Sequence, residues 1–225
     1  MIFLQLLLMM ILPYWFAKEI KKFPFKINQQ VFQEYHQLIN QKSLFYDFIK
    51  HSTLQYKEIK SIKWLYLLFP IILLVFKNEH FIIIFILSIL IYLSILDLNY
   101  YLTDIKYIII IFISGMIYLI FYKNMQIDEN IFSLLFSIIF FFTLHFISEI
   151  ILRKELLGMG DSLLIIALSP LFNLEQLLQL LLYASSLGIL FASGYFFIKK
   201  CKIQCLPFIP FISCAFFILF MMKNY

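Results

Sequence analysis

The stretch RKELLGMGDSLLIIALSP, residues 153–170, sets an apolar helix directly behind two glycines and an aspartate. The uncharged run that follows, residues 162–172, rises only about 16 Å as a helix, roughly half of the ~30 Å hydrocarbon core of a bilayer. Such a helix spans only by drawing residues in from one end, and drawing backwards pulls Asp161 toward the membrane. Gly158 and Gly160 are two of only five glycines in the chain. They let the backbone turn tightly and come close to a neighbour where the carboxylate has to be aimed. Aspartate is equally a good cap for a helix starting at Ser162, so Asp161 taken singly has a plain structural explanation.

Outward from this stretch the whole chain is apolar. Of its 225 residues 63% are hydrophobic and 14% charged, and the mean hydropathy is +0.93, which soluble domains of ordinary composition do not approach. Uncharged stretches recur at 2–16, 64–76, 81–96, 107–122, 131–148, 162–172, 177–198 and 206–222. The expectation is an all-α fold, a polytopic membrane helix bundle of about eight transmembrane helices with lipid as its immediate surrounding. A first span with a basic cytoplasmic loop (1–63) would precede the membrane-embedded bundle (64–225). The N-terminal run lacks a basic region before it and a small-residue cleavage site, and so is expected to be a retained span.

Sidedness follows from counting lysine and arginine. Loop 17–63 holds nine of the 18, and placing it in the cytoplasm puts the connections at 97–106, 152–161 and 199–205 on the same side. The split is then fifteen against three, with Lys77, Lys123 and Lys223 opposite, and both termini lie outside. The net charge of +5 reports this orientation and gives no reason to expect nucleic acid as a partner. Three cysteines, Cys201, Cys205 and Cys214, suggest neither a zinc site nor a disulfide framework; no metal or other cofactor is expected. Loop 17–63 has the aromatic spacing of an interfacial helix on anionic headgroups.

A second carboxylate stands in LSILDLNYYLTDIKYIII, residues 93–110, where Asp97 closes one apolar run and Asp104 precedes the next. An aspartate at membrane depth costs roughly 2–3 kcal/mol and tends to face protein or water, although a solvated boundary residue or a helix cap explains it too. Asp97 and Asp161 fall on one side of the membrane. Meeting across a bundle, they would form a pair in which like charges cannot both ionise, so that one takes a proton from water and the other donates one to a carbonyl. No Ser/His/Asp spacing, H-E-x-x-H or C-x-x-C competes with this.

At these residues the chain resembles the type 4 prepilin peptidases, the bacterial branch of the GxGD membrane aspartyl proteases. KELLGMGDSLLIIALSP matches their G-x-G-D stretch at Gly158, Gly160 and Asp161. ILDLNYYLTDI matches the segment bearing their first catalytic aspartate, with Asp97 on that residue and Asp104 on the non-catalytic one. CLPFIPFISCAFF is similar to their C-terminal I-P-F-G-P-F segment, so the likeness runs over about 81–222. The family's residues are replaced by Thr103 before Asp104, by Leu163 after the G-x-G-D and by Ile209 in the C-terminal segment. The paired cysteines of longer members, tied there to zinc and to methylation of the new pilin terminus, have no counterpart in loop 17–63.

The resemblance implies an aspartic endopeptidase of the bacterial inner membrane, with catalytic Asp97 and Asp161 shaped by Gly158 and Gly160 and facing the cytoplasm. It would remove basic leaders from prepilins or pseudopilins of type IV pilus or type II secretion systems; the missing cysteine pairs speak against methyltransferase activity without deciding it. Glu149, Glu155 and Asp104 are candidates for contacting a lysine-bearing leader; His145 and Glu149, four apart on one helix face, read equally as a buried hydrogen-bonded pair. A non-catalytic scaffold or assembly factor on the same fold is the alternative. A transporter would show polar mid-span residues and broken helices in both halves, and these spans show little of either.

Overall fold

The computed structural model describes residues 2–38, 45–55, 62–76, 79–153, 157–200 and 205–223, which form helices and short connections with no strand among them. The chain divides into two compact units, Met1–Lys77 and Asn78–Tyr225.

In the first unit α1 (Ile2–Leu38) is one helix of 37 residues with Pro13 and Pro24 inside it. At 1.5 Å per residue it is about 55 Å long, well beyond a hydrocarbon core. The helix therefore does not stop near residue 16 before a polar loop, as the charge pattern suggested. Beyond Pro24 no glycine or proline interrupts residues 25–38, and nothing in that stretch opposes helix continuation. A short helix, α2 (Phe45–His51), folds back on it: the Phe32 ring lies 5.0 Å from Phe45 and 5.4 Å from Phe48. Ser52 Oγ donates to Asn28 Oδ1 at 2.7 Å, and Asn28 Nδ2 donates to the Leu54 carbonyl at 2.8 Å. The third helix, α3 (Ile62–Val75), packs on α1, with the Phe16 and Phe69 rings 6.0 Å apart.

The second unit contains α4 (Phe81–Tyr100), α5 (Ile105–Tyr122), α6 (Ile127–Ile147), α7 (Met159–Leu168), α8 (Leu174–Lys199) and α9 (Ile209–Lys223). Among the described residues four of these, α4, α5, α6 and α8, are long and apolar enough to cross a membrane; α7 with its following turn, and α9, are shorter apolar helices. The chain is a helical membrane bundle, and the apolar stretches counted in the sequence fall mainly on helices, although not all of these are long enough to span alone.

The connections alternate between two ends of this unit. Asp97, near the end of α4, is hydrogen-bonded to the start of α9, and the α4–α5 connection touches the start of α7. The α5–α6 and α7–α8 connections meet at the other end, where Lys123 Nζ donates to the Leu171 carbonyl at 2.8 Å. The α4–α5 turn and the starts of α7 and α9 thus share one end, with Lys123 opposite.

Helix α7 is the short one, and the packing shows why it is tolerated. With its 3₁₀ turn Ser169–Leu171 it rises only about 21 Å, short of the ~30 Å hydrocarbon core, so at least one end lies at membrane depth. Non-helical backbone survives there only where protein satisfies it. Leu164, Ile165, Ala167, Leu168, Ser169, Pro170 and Leu171 are all buried. Asn130 Nδ2 on α6 donates to the Pro170 carbonyl at 2.9 Å, and Lys123 takes the Leu171 carbonyl. Gly115 on α5 faces α7, where an added Cβ would stand at ordinary contact distance, 3.6 Å from the Ala167 carbonyl.

Candidate active site

Asp97 sits one turn from the end of α4 and is buried, at 7% exposure. Its Oδ2 accepts the Ile209 N–H at 3.1 Å, and the Phe208 amide lies beside the same carboxyl. One turn deeper, Ser94 Oγ and Ser213 Oγ are 2.7 Å apart, joining α4 to α9 again. Helix α4 then ends on Tyr101 in the left-handed region, φ 53°, with its N–H on the Asp97 carbonyl at 2.9 Å. A tyrosine in that conformation costs on the order of 1 kcal/mol, which the fold accepts in order to turn the chain sharply before α5. Asp104 caps α5: its Oδ1 accepts the Lys106 N–H at 3.2 Å, and it is buried.

Asp161 enters from α7. The helix starts at Met159, with Gly158 as its N-cap and no side-chain cap hydrogen bond. Asp161 is therefore the third residue of the first turn and not the cap of a helix beginning at Ser162. The helix has borrowed backwards, as its length required. Asp161 is half-buried and lies close enough to Asp97 for the one charge to act on the other. Carboxylates separated by 64 residues in sequence thus come together at one end of the bundle.

The glycines act by close approach rather than by unusual backbone angles, since none of them has positive φ. A Cβ on Gly160 would collide with the Thr103 hydroxyl and stand 3.0 Å from Thr103 Cβ. On Gly158 it would stand 3.1 Å from Asp161 Oδ2. Gly160 therefore lets α7 sit against the α4–α5 turn, and Gly158 leaves room for the Asp161 carboxyl itself.

Glu149 lies in a π-helical turn, Ser148–Leu152, that ends α6, and pairs with His145 Nε2 at 3.3 Å. The pairing expected from the i, i+4 spacing is present, but it is not buried: the side chains are 30% and 60% exposed. A single-turn π segment often marks a functional region. Glu155 lies outside the described residues. Among the described residues no three His, Cys, Asp or Glu side chains gather as metal ligands do. Sequence reasoning passed over the Phe208 and Ile209 amides, Thr103 as the neighbour of Gly160, and the Ser94–Ser213 pair; only Pro207 and Pro210 around the two amides hinted at a special turn.

A helical membrane bundle that gathers two aspartates, one anchored by a helix N-terminus and one beside a pair of glycines, defines a class of protein before any comparison is made. Residues 84–193 match the model of the type IV leader peptidase family. A prepilin leader peptidase/N-methyltransferase of Haemophilus influenzae is 33% identical over 104 residues. That match covers 46% of this chain and 44% of the relative. No solved structure matches the chain.

Proposed function

We propose that the protein is a membrane aspartic endopeptidase that removes the basic leader from prepilins or pseudopilins at the cytoplasmic face of the bacterial inner membrane. The observation that carries the reading is the convergence of Asp97 and Asp161 at the end of the bundle that also bears Lys106, Arg153, Lys199 and Lys200. That basic end is the one the positive-inside rule assigns to the cytoplasm. Two carboxylates in one pocket share a proton: the ionised one draws a proton from the attacking water while the other gives one to the scissile carbonyl. The Asp97 charge acts on Asp161, which supports this reading. A prepilin offers a charged leader joined to a long apolar helix, and a protease seated in the bilayer holds that helix among its spans while the junction lies at the dyad. Glu149 and Glu155 are the acidic groups for the leader, while Asp104 is taken up as the buried cap of α5.

The test is co-expression with a prepilin. Asp97→Asn and Asp161→Asn each insert normally and abolish the mobility shift of leader removal. Continued processing by either variant would leave the scaffold reading standing.

A further inference from the structure

Resting on that reading, we infer that the Pro207–Phe208–Ile209–Pro210 turn is a backbone receptor that fixes the Asp97 carboxyl in its working orientation, with Ser94 and Ser213 pinning α9 in register. Of these four residues only Phe208 and Ile209 possess an N–H; Ile209 donates to Asp97 at 3.1 Å, and the Phe208 amide lies beside the same carboxyl. The flanking prolines have none to offer. The first turn of α9 closes through the Phe208 carbonyl, which accepts from Phe211 N at 3.0 Å and Ile212 N at 3.2 Å. This leaves the Phe208 and Ile209 amides, like all those of a helix's first turn, without an acceptor inside the helix. Asp97 supplies that acceptor from α4, 112 residues away in sequence. Proline in the first turn of a helix removes a donor that would have been orphaned anyway, so Pro210 concentrates the free donors onto the two residues beside Asp97.

The Ser94–Ser213 contact makes the arrangement specific to one register. Ser94 precedes Asp97 by three residues and Ser213 follows Ile209 by four, so both polar ties fall on one α4–α9 seam. Each hydroxyl has one proton, so one serine donates across the seam and the other donates to its own helix, Ser94 Oγ to the Leu90 carbonyl at 2.7 Å or Ser213 Oγ to the Ile209 carbonyl at 2.9 Å. A slide of α9 by one residue would break the serine contact and withdraw the Ile209 amide together. Ile209 is a positioning residue that acts through its backbone, and its buried side chain contributes packing only.

Leader removal is measured with purified full-length protein in lipid vesicles and a prepilin-like peptide. Ile209→Pro deletes the donor at a helix position that accepts proline. It lowers kcat about ten-fold or more with KM little changed, the loss of one hydrogen bond to a charged group. Ile209→Val trims the side chain, keeps the N–H and retains most of kcat. Replacing the residue 209 amide by an ester, with the isoleucine side chain intact, reproduces the proline effect and stands in for it should Ile209→Pro fail to insert. Ser213→Ala lowers kcat by less and adds little to Ile209→Pro, because both act on the same carboxyl. Wild-type kcat in the ester or proline protein overturns the inference, as does an equal fall in Ile209→Val. The aspartic-peptidase reading fails by a different result, activity surviving in Asp97→Asn.

Discussion

Replacing Gly160 by alanine adds one carbon atom at the closest approach between α7 and the α4–α5 turn. That Cβ would lie 3.0 Å from Thr103 Cβ and nearer still to the Thr103 hydroxyl. Carbon atoms pack at about 3.5–4.0 Å, so the turn or the start of α7 has to retreat by at least half an ångström. Threonine relieves little of this by itself, since its Cβ is fixed to the backbone and its χ1 is stiff. Overpacking of this kind costs about 1–3 kcal/mol. The functional loss should exceed the stability loss, because Asp161 is the next residue and Thr103 adjoins Asp104. A misplacement approaching 1 Å at reacting groups costs up to about 10²-fold in rate. In the vesicle assay Gly160→Ala is therefore expected to lower kcat ten- to hundred-fold while the protein still inserts and purifies as a folded bundle. Thr103→Gly in the same protein removes both contacts and restores much of the loss, so the two substitutions couple strongly in a double-mutant cycle. Wild-type kcat in Gly160→Ala, or no recovery with Thr103→Gly, would refute the close-approach account.

Other expectations concern separate parts of the molecule. Gly158→Ala crowds Asp161 Oδ2 at 3.1 Å without touching a second helix, and it should slow leader removal less than Gly160→Ala in the same assay. Asn130→Leu removes the donor to the Pro170 carbonyl inside the bundle and should cost about 1–3 kcal/mol, seen as a lower thermal unfolding midpoint in detergent. Because Asn130 lies at the opposite end from the dyad, kcat of the surviving protein should hold. Glu149→Gln keeps size and loses charge on an exposed site; if Glu149 meets the leader, KM for a lysine-bearing leader rises while an uncharged leader is unaffected, and equal KM values would remove it from that role.

The helical membrane fold was legible because it rests on local, additive signals. Long uncharged runs dictate helices in lipid, and the lysine distribution puts Asp97 and Asp161 on one side; their pairing as a dyad came from the glycines around Asp161 and from the resemblance. The end of α1 was not legible, since its lysines at 18, 21, 22 and 26 look like a membrane boundary and yet are compatible with uninterrupted helix. The start of α7 was misjudged because Asp161 is a good cap in isolation, whereas the short apolar run needed three more residues of helix. Contacts between distant backbones left no pattern at all. Ile209 looked like a departure from a glycine-bearing motif, but what Asp97 uses is the N–H, which side-chain identity does not reveal. Thr103 likewise became meaningful only as the surface against which Gly160 must fit.

The central claim is that Asp97 and Asp161 work as one unit, and single-turnover leader removal by the two single variants and the double variant tests it most directly. Asp97→Asn, Asp161→Asn and their combination should all fall to the same background rate, because removing either member leaves no dyad to lose. A single variant that keeps a sizeable fraction of the wild-type rate, with the double variant slower still, would show two independent contributions and contradict the account.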